Sequence, residues 1–236
     1  LSISSLANAC GVAEATIFRF CRSLGFDGYN EMKIALAKAT ATAMPVALKL
    51  EPGVDTQTLV THAYNTAVEA LNGTRNVLDP DAIDHAATLL QRARQVYCLG
   101  QGGSQVLAED IWARFSMIST KFRTAGDSHM QAITASLMGP EDVLLFVSYS
   151  GATRDMMDTL RLAKENGAKV ILITHYDDAP GAALADVVLL CGAQENPLDS
   201  GSIPAKLAML FVANVLVLRY TLDNQELANL SLSRTS

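Results

Sequence analysis

The pattern of apolar and polar positions divides the chain into three blocks. Residues 1–40 place apolar side chains at helical spacing, with glycines at the positions where short helices would end. Residues 41–78 hold a link interrupted by prolines and then a helical segment from about Thr56 to Asn72. From residue 79 to residue 236, short apolar runs alternate with longer helical stretches. We therefore predict a small all-α domain, a connecting segment and a larger α/β domain.

The third block predicts a layered sheet. Five short apolar runs predict strands at Val96–Leu99, Lys121–Thr124, Val143–Ser148, Val170–Thr174 and Val187–Leu190. The intervening stretches predict helices at Ser104–Ile118, His129–Met138, Ala152–Asn166, Ala179–Ala185 and Pro204–Tyr220. Runs that are apolar on both faces and alternate with helices indicate a parallel sheet covered on both sides. We expect a five-stranded parallel, doubly wound sheet.

The first block predicts two short helices joined by a tight turn at Gly11, where a positive φ costs glycine little. Helical spacing predicts that one face of the second helix is buried by Ile17, Phe20, Cys21 and Leu24. Ala13 stands at its expected N-cap, where serine or threonine would stabilise the helix by roughly 1 kcal/mol. The pattern is typical of a helix-turn-helix, and an ordinary helical hairpin is the alternative.

The opposite face of the second helix carries the candidate DNA contacts. It presents Ala15, Thr16, Phe18, Arg19 and Arg22. Such a helix enters the major groove with its N-terminal residues at the base edges. We assign Thr16 and Arg19 to groove or phosphate contacts and Arg22 to phosphate. Phe18 would contact a thymine methyl group or pack locally.

Charge distribution separates this helical head from the rest of the chain. The 236 residues have a net charge of −6, which alone argues against a nucleic-acid binder. Residues 1–40 nevertheless carry four basic and three acidic side chains, so the acidic excess lies wholly in the remainder. An acidic body with a slightly basic head fits DNA binding confined to the head.

Cysteine usage and hydropathy bear on the compartment and on metals. Four widely separated cysteines, Cys10, Cys21, Cys98 and Cys191, stand in apolar stretches and form no CxxC pair. We expect buried free thiols in a reducing cytoplasm, with no metal site and no disulfide. No uninterrupted run of about 18 apolar residues and no signal peptide is visible, so we expect neither a membrane partner nor secretion.

Two loops rich in glycine and serine follow predicted strands. The first, Gly100 to Ser104, contributes Gly102, Gly103 and Ser104; the second, Ser148 to Thr153, contributes Ser148, Ser150, Gly151 and Thr153. Glycines let a ligand approach the backbone, a helix N-terminus offers free N–H groups, and hydroxyls donate to phosphate oxygens. In an open α/β sheet both loops would meet at the switch in strand order. Helix capping is the alternative for one or two hydroxyls, and does not explain the whole cluster.

These motifs resemble a known family. The Ser-x-Ser-Gly-x-Thr loop at residues 148–153 and the glycine-rich loop ending in Ser104 are similar to the phosphosugar-binding loops of the SIS (sugar isomerase) fold. The head, with Phe20-Cys-Arg-Ser-Leu-Gly-Phe-Asp-Gly-Tyr29, is similar to the RpiR family of bacterial regulators. The resemblance implies a flavodoxin-like body without a cofactor, a phosphorylated sugar as effector and operator DNA as partner. It also implies a homo-oligomer, dimer or tetramer, and further helices before the first one of this sequence.

Other residues allow competing functions. His129 follows the second predicted strand and could reach the sugar, although a helix start there is equally expected. Lys206 could supply charge to a phosphate or carboxylate, with surface solvation as the alternative. We predict no catalytic residue. A phosphosugar isomerase would need a base, for which His129, His175 and Glu195 are candidates. The third hypothesis is a sugar-phosphate sensor whose head contacts a protein partner.

Overall fold

The first three helices form a small separate core. The computed structural model describes residues 2–40, 53–192 and 203–235. The helices are α1 (Ile3–Cys10), α2 (Glu14–Ser23) and α3 (Tyr29–Thr40). Gly11 ends α1 with a φ of 65°, in the left-handed region that favours glycine, and Ala13 starts α2 without a side-chain cap. Both features agree with the sequence pattern. The core that joins the helices consists of Ala7, Ile17, Cys21 and Met32.

The buried face of α2 is narrower than the sequence predicts. Ile17 and Cys21 are buried, but Phe20 is 52% exposed and Leu24 is 54% exposed, so their predicted burial is wrong. Ile17 and Cys21 lie one turn apart and fill the gap against α1 and α3. Among the residues that the structure describes, no element covers the flank where Phe20 lies.

The body is an α/β fold. Its helices are α4 (Thr56–Val77), α5 (Pro80–Arg92), α6 (Gly103–Ser116), α7 (Ser128–Ser136), α8 (Arg154–Glu165), α9 (Ile203–Asp223) and α10 (Gln225–Thr235). Its strands are β1 (Gln95–Gly100), β2 (Phe122–Arg123), β3 (Asp142–Val147), β4 (Lys169–Thr174) and β5 (Val187–Leu190). Every strand pair is parallel and the order is β2-β1-β3-β4-β5. The predicted five-stranded, doubly wound sheet is confirmed, with the flavodoxin-like strand order.

Side chains alternate across the sheet into two apolar layers. In β3, Val143, Leu145 and Val147 join the layer that includes residues of α5, α6 and α9. Leu144 and Phe146 join the opposite layer with residues of α7 and α8. This alternation follows from the strand period of two residues. Both faces of the sheet are therefore covered, which positions the strand ends as the exposed edge of the body.

Most element boundaries agree with the sequence pattern within about two residues, but some elements depart from it further. β2 has two residues, where the pattern predicts four, and the predicted helix 179–185 is reduced to a 3₁₀ turn at Ala182–Leu184. α10 was not predicted. β2 lies at the edge of the sheet and pairs with β1 alone, so only the residues that face β1 extend as a strand.

The connecting helix packs on the body. α4, within the segment predicted as a link, lies against α9. The backbone of Gly73 approaches that of Gly192 closely enough that a Cβ on Gly192 would lie 2.2 Å from the Gly73 carbonyl oxygen. The Gly192 amide also donates to Thr74 Oγ1 at 3.2 Å. Glycine at both positions therefore permits the helix to touch the end of β5.

The cysteines are free, and three of the four are buried. Cys10 is exposed at the end of α1, so the expectation of burial is wrong there. It lies on the last turn of a short helix whose packing face is occupied by Ala7. Burial raises the pKa of the Cys98 thiol within β1.

α9 is both a core helix and a strongly apolar one. By length and composition it is the one helix in the described part of the chain that could cross a membrane. Ala208, Val212 and Leu216 on one face join the main apolar layer. Leu218 and Leu222 on another face are exposed. α9 therefore packs into the core along one side only.

Candidate functional site

The two predicted loops meet at the switch in strand order. β1 and β3 are neighbours in the sheet. After β1 the chain continues toward the edge formed by β2, and after β3 it continues toward β4 on the other side. α6 begins after Gly102, whose φ is 54°, and α8 begins after Thr153. Neither helix has a hydrogen bond from a side chain at its N-cap. Both therefore direct uncapped N-termini, with the positive end of the helix dipole, to the edge where ligands bind in such sheets.

Hydrogen bonds fix the shape of the loops. Thr153 Oγ1 donates to Gln101 Oε1 at 3.2 Å and so links the two loops instead of capping α8. Ser148 Oγ accepts from the Gly151 amide at 3.2 Å. Gln131 is buried beneath the first loop, and its Nε2 donates to the Gly100 carbonyl at 2.8 Å. The loops are thus held in position before any ligand is present.

The loops line a cavity of about 280 Å³. Such a volume is close to the lower end of the roughly 300–1,000 Å³ typical of small-molecule sites. Six of the nine predicted effector residues line it: Gly103, Ser104, Ser148, Ser150, Thr153 and Lys206. The sequence pattern thus located the cavity.

Lys206 brings a positive charge to the first loop. A Cβ built on Gly103 would lie 3.6 Å from Lys206 Cε and 3.9 Å from its Nζ. The ammonium group therefore lies beside the start of α6. Lysine, helix N-terminus and serine hydroxyls together form an arrangement that suits a phosphate group.

The other three predicted residues do not line the cavity. Gly102 and Gly151, with φ of 54° and 58°, form turns of the two loops. His129 is exposed on α7, outside the residues that line the cavity. His175, weighed above as a base, stacks on Tyr149 with ring centroids 4.9 Å apart, and its Nδ1 lies 2.7 Å from the Cys191 carbonyl oxygen.

Several lining residues were not predicted. From the body these include Gln101, Tyr149 and Tyr176, and from the head Asn30, Lys33 and Ile34. Gln101 Nε2 is buried and has no hydrogen-bond partner among the described residues, so it is an available donor at the cavity wall. Its position inside the glycine-rich loop was a signal that could have identified it. Nothing in the local sequence of α3 indicates its contact with the cavity.

The candidate DNA-binding face of α2 is largely exposed. Ala15, Arg19 and Arg22 are exposed and Thr16 is half-buried. Arg22 pairs with Asp27 at 2.6 Å, and its guanidinium carbon lies 5.8 Å from the centre of the Phe18 ring. A Cβ on Gly28 would lie 3.3 Å from that ring. Phe18 thus has local neighbours, but it is 45% exposed, so its contact with a thymine methyl group stays a prediction.

Comparisons with known proteins agree with this geometry. The SIS domain profile matches residues 89–219, and the profile of the helix-turn-helix domain of the rpiR family matches residues 1–43. The HTH-type transcriptional regulator RpiR of Escherichia coli strain K12 is 30% identical over 237 residues, covering 99% of this chain and 79% of its own. The chain belongs to the RpiR family. The resemblance noted from the sequence is confirmed.

Two further proteins are similar to this RpiR-family chain over most of its length. The HTH-type regulator HexR of Pseudomonas aeruginosa is 33% identical over 225 residues, which cover 94% of this chain and 78% of HexR. The structure of Vibrio vulnificus NanR complexed with ManNAc-6P superposes with a TM-score of 0.86 at 25% identity. That alignment covers 99% of this chain and 83% of NanR. The similarity thus extends over both the head and the body.

Proposed function

We propose that this RpiR-family chain is a DNA-binding transcriptional regulator whose body binds a phosphorylated sugar and thereby changes the affinity of the head for operator DNA. One observation carries the proposal. Two uncapped helix N-termini, three serine hydroxyls and Lys206 meet at one cavity in a chain that also holds a helix-turn-helix. NanR, similar over 99% of this chain, has ManNAc-6P bound in its structure, which supports a phosphosugar as the effector class.

Ligand and DNA affect one another through linkage. The effector changes operator affinity only by its differential affinity for the two arrangements of the head. A homo-oligomer that holds two heads would match two half-sites about 34 Å apart, or a multiple of that spacing. We expect such a regulator to act in the cytoplasm, where its operator lies.

The test measures DNA binding with and without sugar phosphates. Fluorescence anisotropy would follow full-length protein on its own promoter region and on unrelated DNA, at several salt concentrations. Glucose 6-phosphate, fructose 6-phosphate, ribose 5-phosphate, glucosamine 6-phosphate and ManNAc-6P form the panel. We expect specific binding that at least one panel member changes. Equal, non-specific affinity for both DNAs under every condition would refute the regulator and favour a protein partner for the head.

A pair of serine substitutions tests the cavity. Each lost hydrogen bond to a charged group costs roughly 1.5 kcal/mol, so Ser148→Ala with Ser150→Ala should weaken effector binding by about 100-fold. DNA affinity without effector should not change. Ser136→Ala with Ser233→Ala is the matched control, because these hydroxyls bond to carbonyls of their own helices. Wild-type effector affinity in the double variant, or loss of its DNA binding without effector, would contradict the assignment.

The isomerase alternative has less support. His129 and His175 lie outside the lining of the cavity, and among its described lining residues none is an aspartate or glutamate. Glu195, the third candidate base, lies outside the described residues. NMR of the same panel incubated with the protein provides the check, since interconversion of any sugar phosphate would establish enzymatic activity.

A further inference from the structure

The cavity is not built from the body alone. Asn30, Lys33 and Ile34 of α3 line it together with the loops that follow β1 and β3. α3 belongs to the helix-turn-helix head, and no sequence motif assigns it to ligand binding. A part of the DNA-binding domain thus forms one wall of the candidate effector site.

Direct contacts hold the head against the body at this place. Ser2 Oγ donates to Asp178 Oδ1 at 3.1 Å, and Ser5 Oγ donates to the other oxygen of the same carboxylate. Burial raises the pKa of Tyr29 at the start of α3, and the neighbouring Tyr176 adds to the effect. Tyr176 itself lines the cavity. The segment that follows β4 therefore touches both the head and the candidate ligand.

Lys33 adds the second positive charge to the cavity. The charged side chains among the described lining residues are Lys33 and Lys206, both cationic. Within the described part of the chain no carboxylate lies within 4.0 Å of Lys33, whose Nζ is 6.0 Å from the centre of the Tyr29 ring. An unpaired ammonium group at a cavity wall attracts an anionic ligand more strongly than one that is neutralised by a protein carboxylate.

α3 packs into the core of the head. Met32, the neighbour of Lys33 in sequence, shares the head's core with Ile17 and Cys21 of the recognition helix. Its sulfur also lies 3.6 Å from the Cys21 sulfur. Any ligand that restrains α3 therefore restrains α2, which carries Arg19.

We propose that Asn30 and Lys33 are effector-binding residues, so that the phosphorylated sugar contacts the body and the DNA-binding head at the same time. This inference rests on the proposed function and adds the contact through which the effector acts. Bound effector stabilises the head position seen here. DNA binding in a different head position then opposes effector binding by the same factor, because linkage is reciprocal.

The test compares effector affinity in single variants without DNA. The probe is the panel member that binds wild type most tightly in isothermal titration. Lys33→Met would remove one charge-assisted hydrogen bond to the probe and should weaken probe binding roughly tenfold. Asn30→Ala should weaken probe binding several-fold. Lys33→Arg should retain most of the affinity. Arg161→Met, which removes one charge from an exposed pair on α8, should not change it.

A second measurement separates ligand contact from a structural role. Melting temperatures of the ligand-free variants should match that of wild type within about 2 °C, since Lys33 and Asn30 are outside the buried core. The effect of the probe on DNA affinity should shrink in Lys33→Met. If Lys33→Met and Asn30→Ala both bind the probe with wild-type affinity, this inference is overturned and the proposed function is left intact. A wild type that binds no panel member overturns the proposed function and this inference with it.

Discussion

Gly102 and Gly151 both have a positive φ, of 54° and 58°, but their surroundings differ. A Cβ on Gly102 would meet nothing within 4 Å, whereas on Gly151 it would lie 2.6 Å from Ala179 Cβ and 2.9 Å from Thr174 Oγ1. Gly102 has a ψ of −125°, which lies outside the left-handed helical region, so Gly102→Ala should cost this backbone strain alone, about 1–3 kcal/mol. Gly151→Ala adds a steric clash, so we expect about 2–4 kcal/mol.

Urea unfolding of the two variants measures this difference in stability. Titration with the effector measures whether the altered loops still bind it. We expect Gly151→Ala to weaken effector binding, because Gly151 donates to Ser148 in the second loop. Equal unfolding free energies for the two variants would show that the second loop relaxes freely around a methyl group.

At the residue scale, the sequence located those cavity-lining residues whose chemistry is local to one loop. Ser104, Ser148 and Thr153 could be predicted because their chemistry and their place after a strand are both local. Asn30 and Lys33 could not be predicted, since their place in the cavity wall depends on where the head docks, a contact between segments more than 60 residues apart. His129 follows a strand as well, but it is exposed on α7 and is not among the described residues that line the cavity, so its contact with the sugar stays a prediction.

At the scale of elements, Asp186 fixes the start of β5 against β4. Its carboxylate accepts from Lys164 at 2.7 Å, Lys169 at 3.1 Å and the Val170 amide at 2.8 Å. Burial alone would raise the pKa of Asp186, but the hydrogen bonds from Lys164, Val170 and Lys169 outweigh it and hold the pKa below its ordinary value. The folded state therefore favours the charged form.

This depressed pKa predicts a pH dependence of stability. The contribution of Asp186 is complete above the ordinary aspartate value of about 3.9 and is lost as the pH falls through the lower folded value. Asp186→Asn should lower the free energy of unfolding by about 1–3 kcal/mol at pH 7 and flatten its decline in acid. Urea unfolding between pH 7 and pH 3 measures both. The control Asp158→Asn, in an exposed pair with Arg161, should change stability by less than about 1 kcal/mol.

The recognition helix carries a prediction about salt. Arg19 is exposed on α2 and pairs with no carboxylate among the described residues. If it contacts a phosphate, Arg19→Ala should reduce the slope of log K against log salt by about 0.9 and weaken binding to all DNA sequences. Effector affinity should stay at the wild-type value. An unchanged slope with altered sequence preference would instead assign Arg19 to a base edge.

Element type was predictable where periodicity was strong, and element length was not. β3 and β4 are apolar on both faces, and the structure has them within one residue of the predicted starts. β2 and the 3₁₀ turn at Ala182–Leu184 are short because neighbouring elements limit them, which a local pattern does not show. α10 mixes polar and apolar residues without a clear stripe, so its helical state depends on contacts such as Ser231 Oγ with the Ile118 carbonyl.

At the scale of the molecule, an apolar groove of about 430 Å³ lies along the exposed side of α9. It is lined by Arg75, Leu78, Pro80, Ile83, Asp84, Phe211, Val215, Leu218, Arg219 and Leu222. Leu218 and Leu222 are 55% and 60% exposed. Contiguous exposed apolar surface rimmed by charges is typical of a protein interface. A regulator that binds two half-sites needs a second copy, so we expect that copy to cover this groove.

Leu218→Asp with Leu222→Asp should therefore convert the protein to a monomer in sedimentation velocity, since two buried carboxylates would lack partners. Loss of the second head should weaken binding to a two-half-site operator by more than tenfold, while binding to a single half-site stays the same. Leu137→Asp, at a leucine that is 78% exposed beyond α7, is the control and should leave the oligomer intact. If the wild type sediments as an oligomer and the double variant keeps its sedimentation coefficient, another surface joins the copies, and the exposed residues of α4 would be the next to substitute.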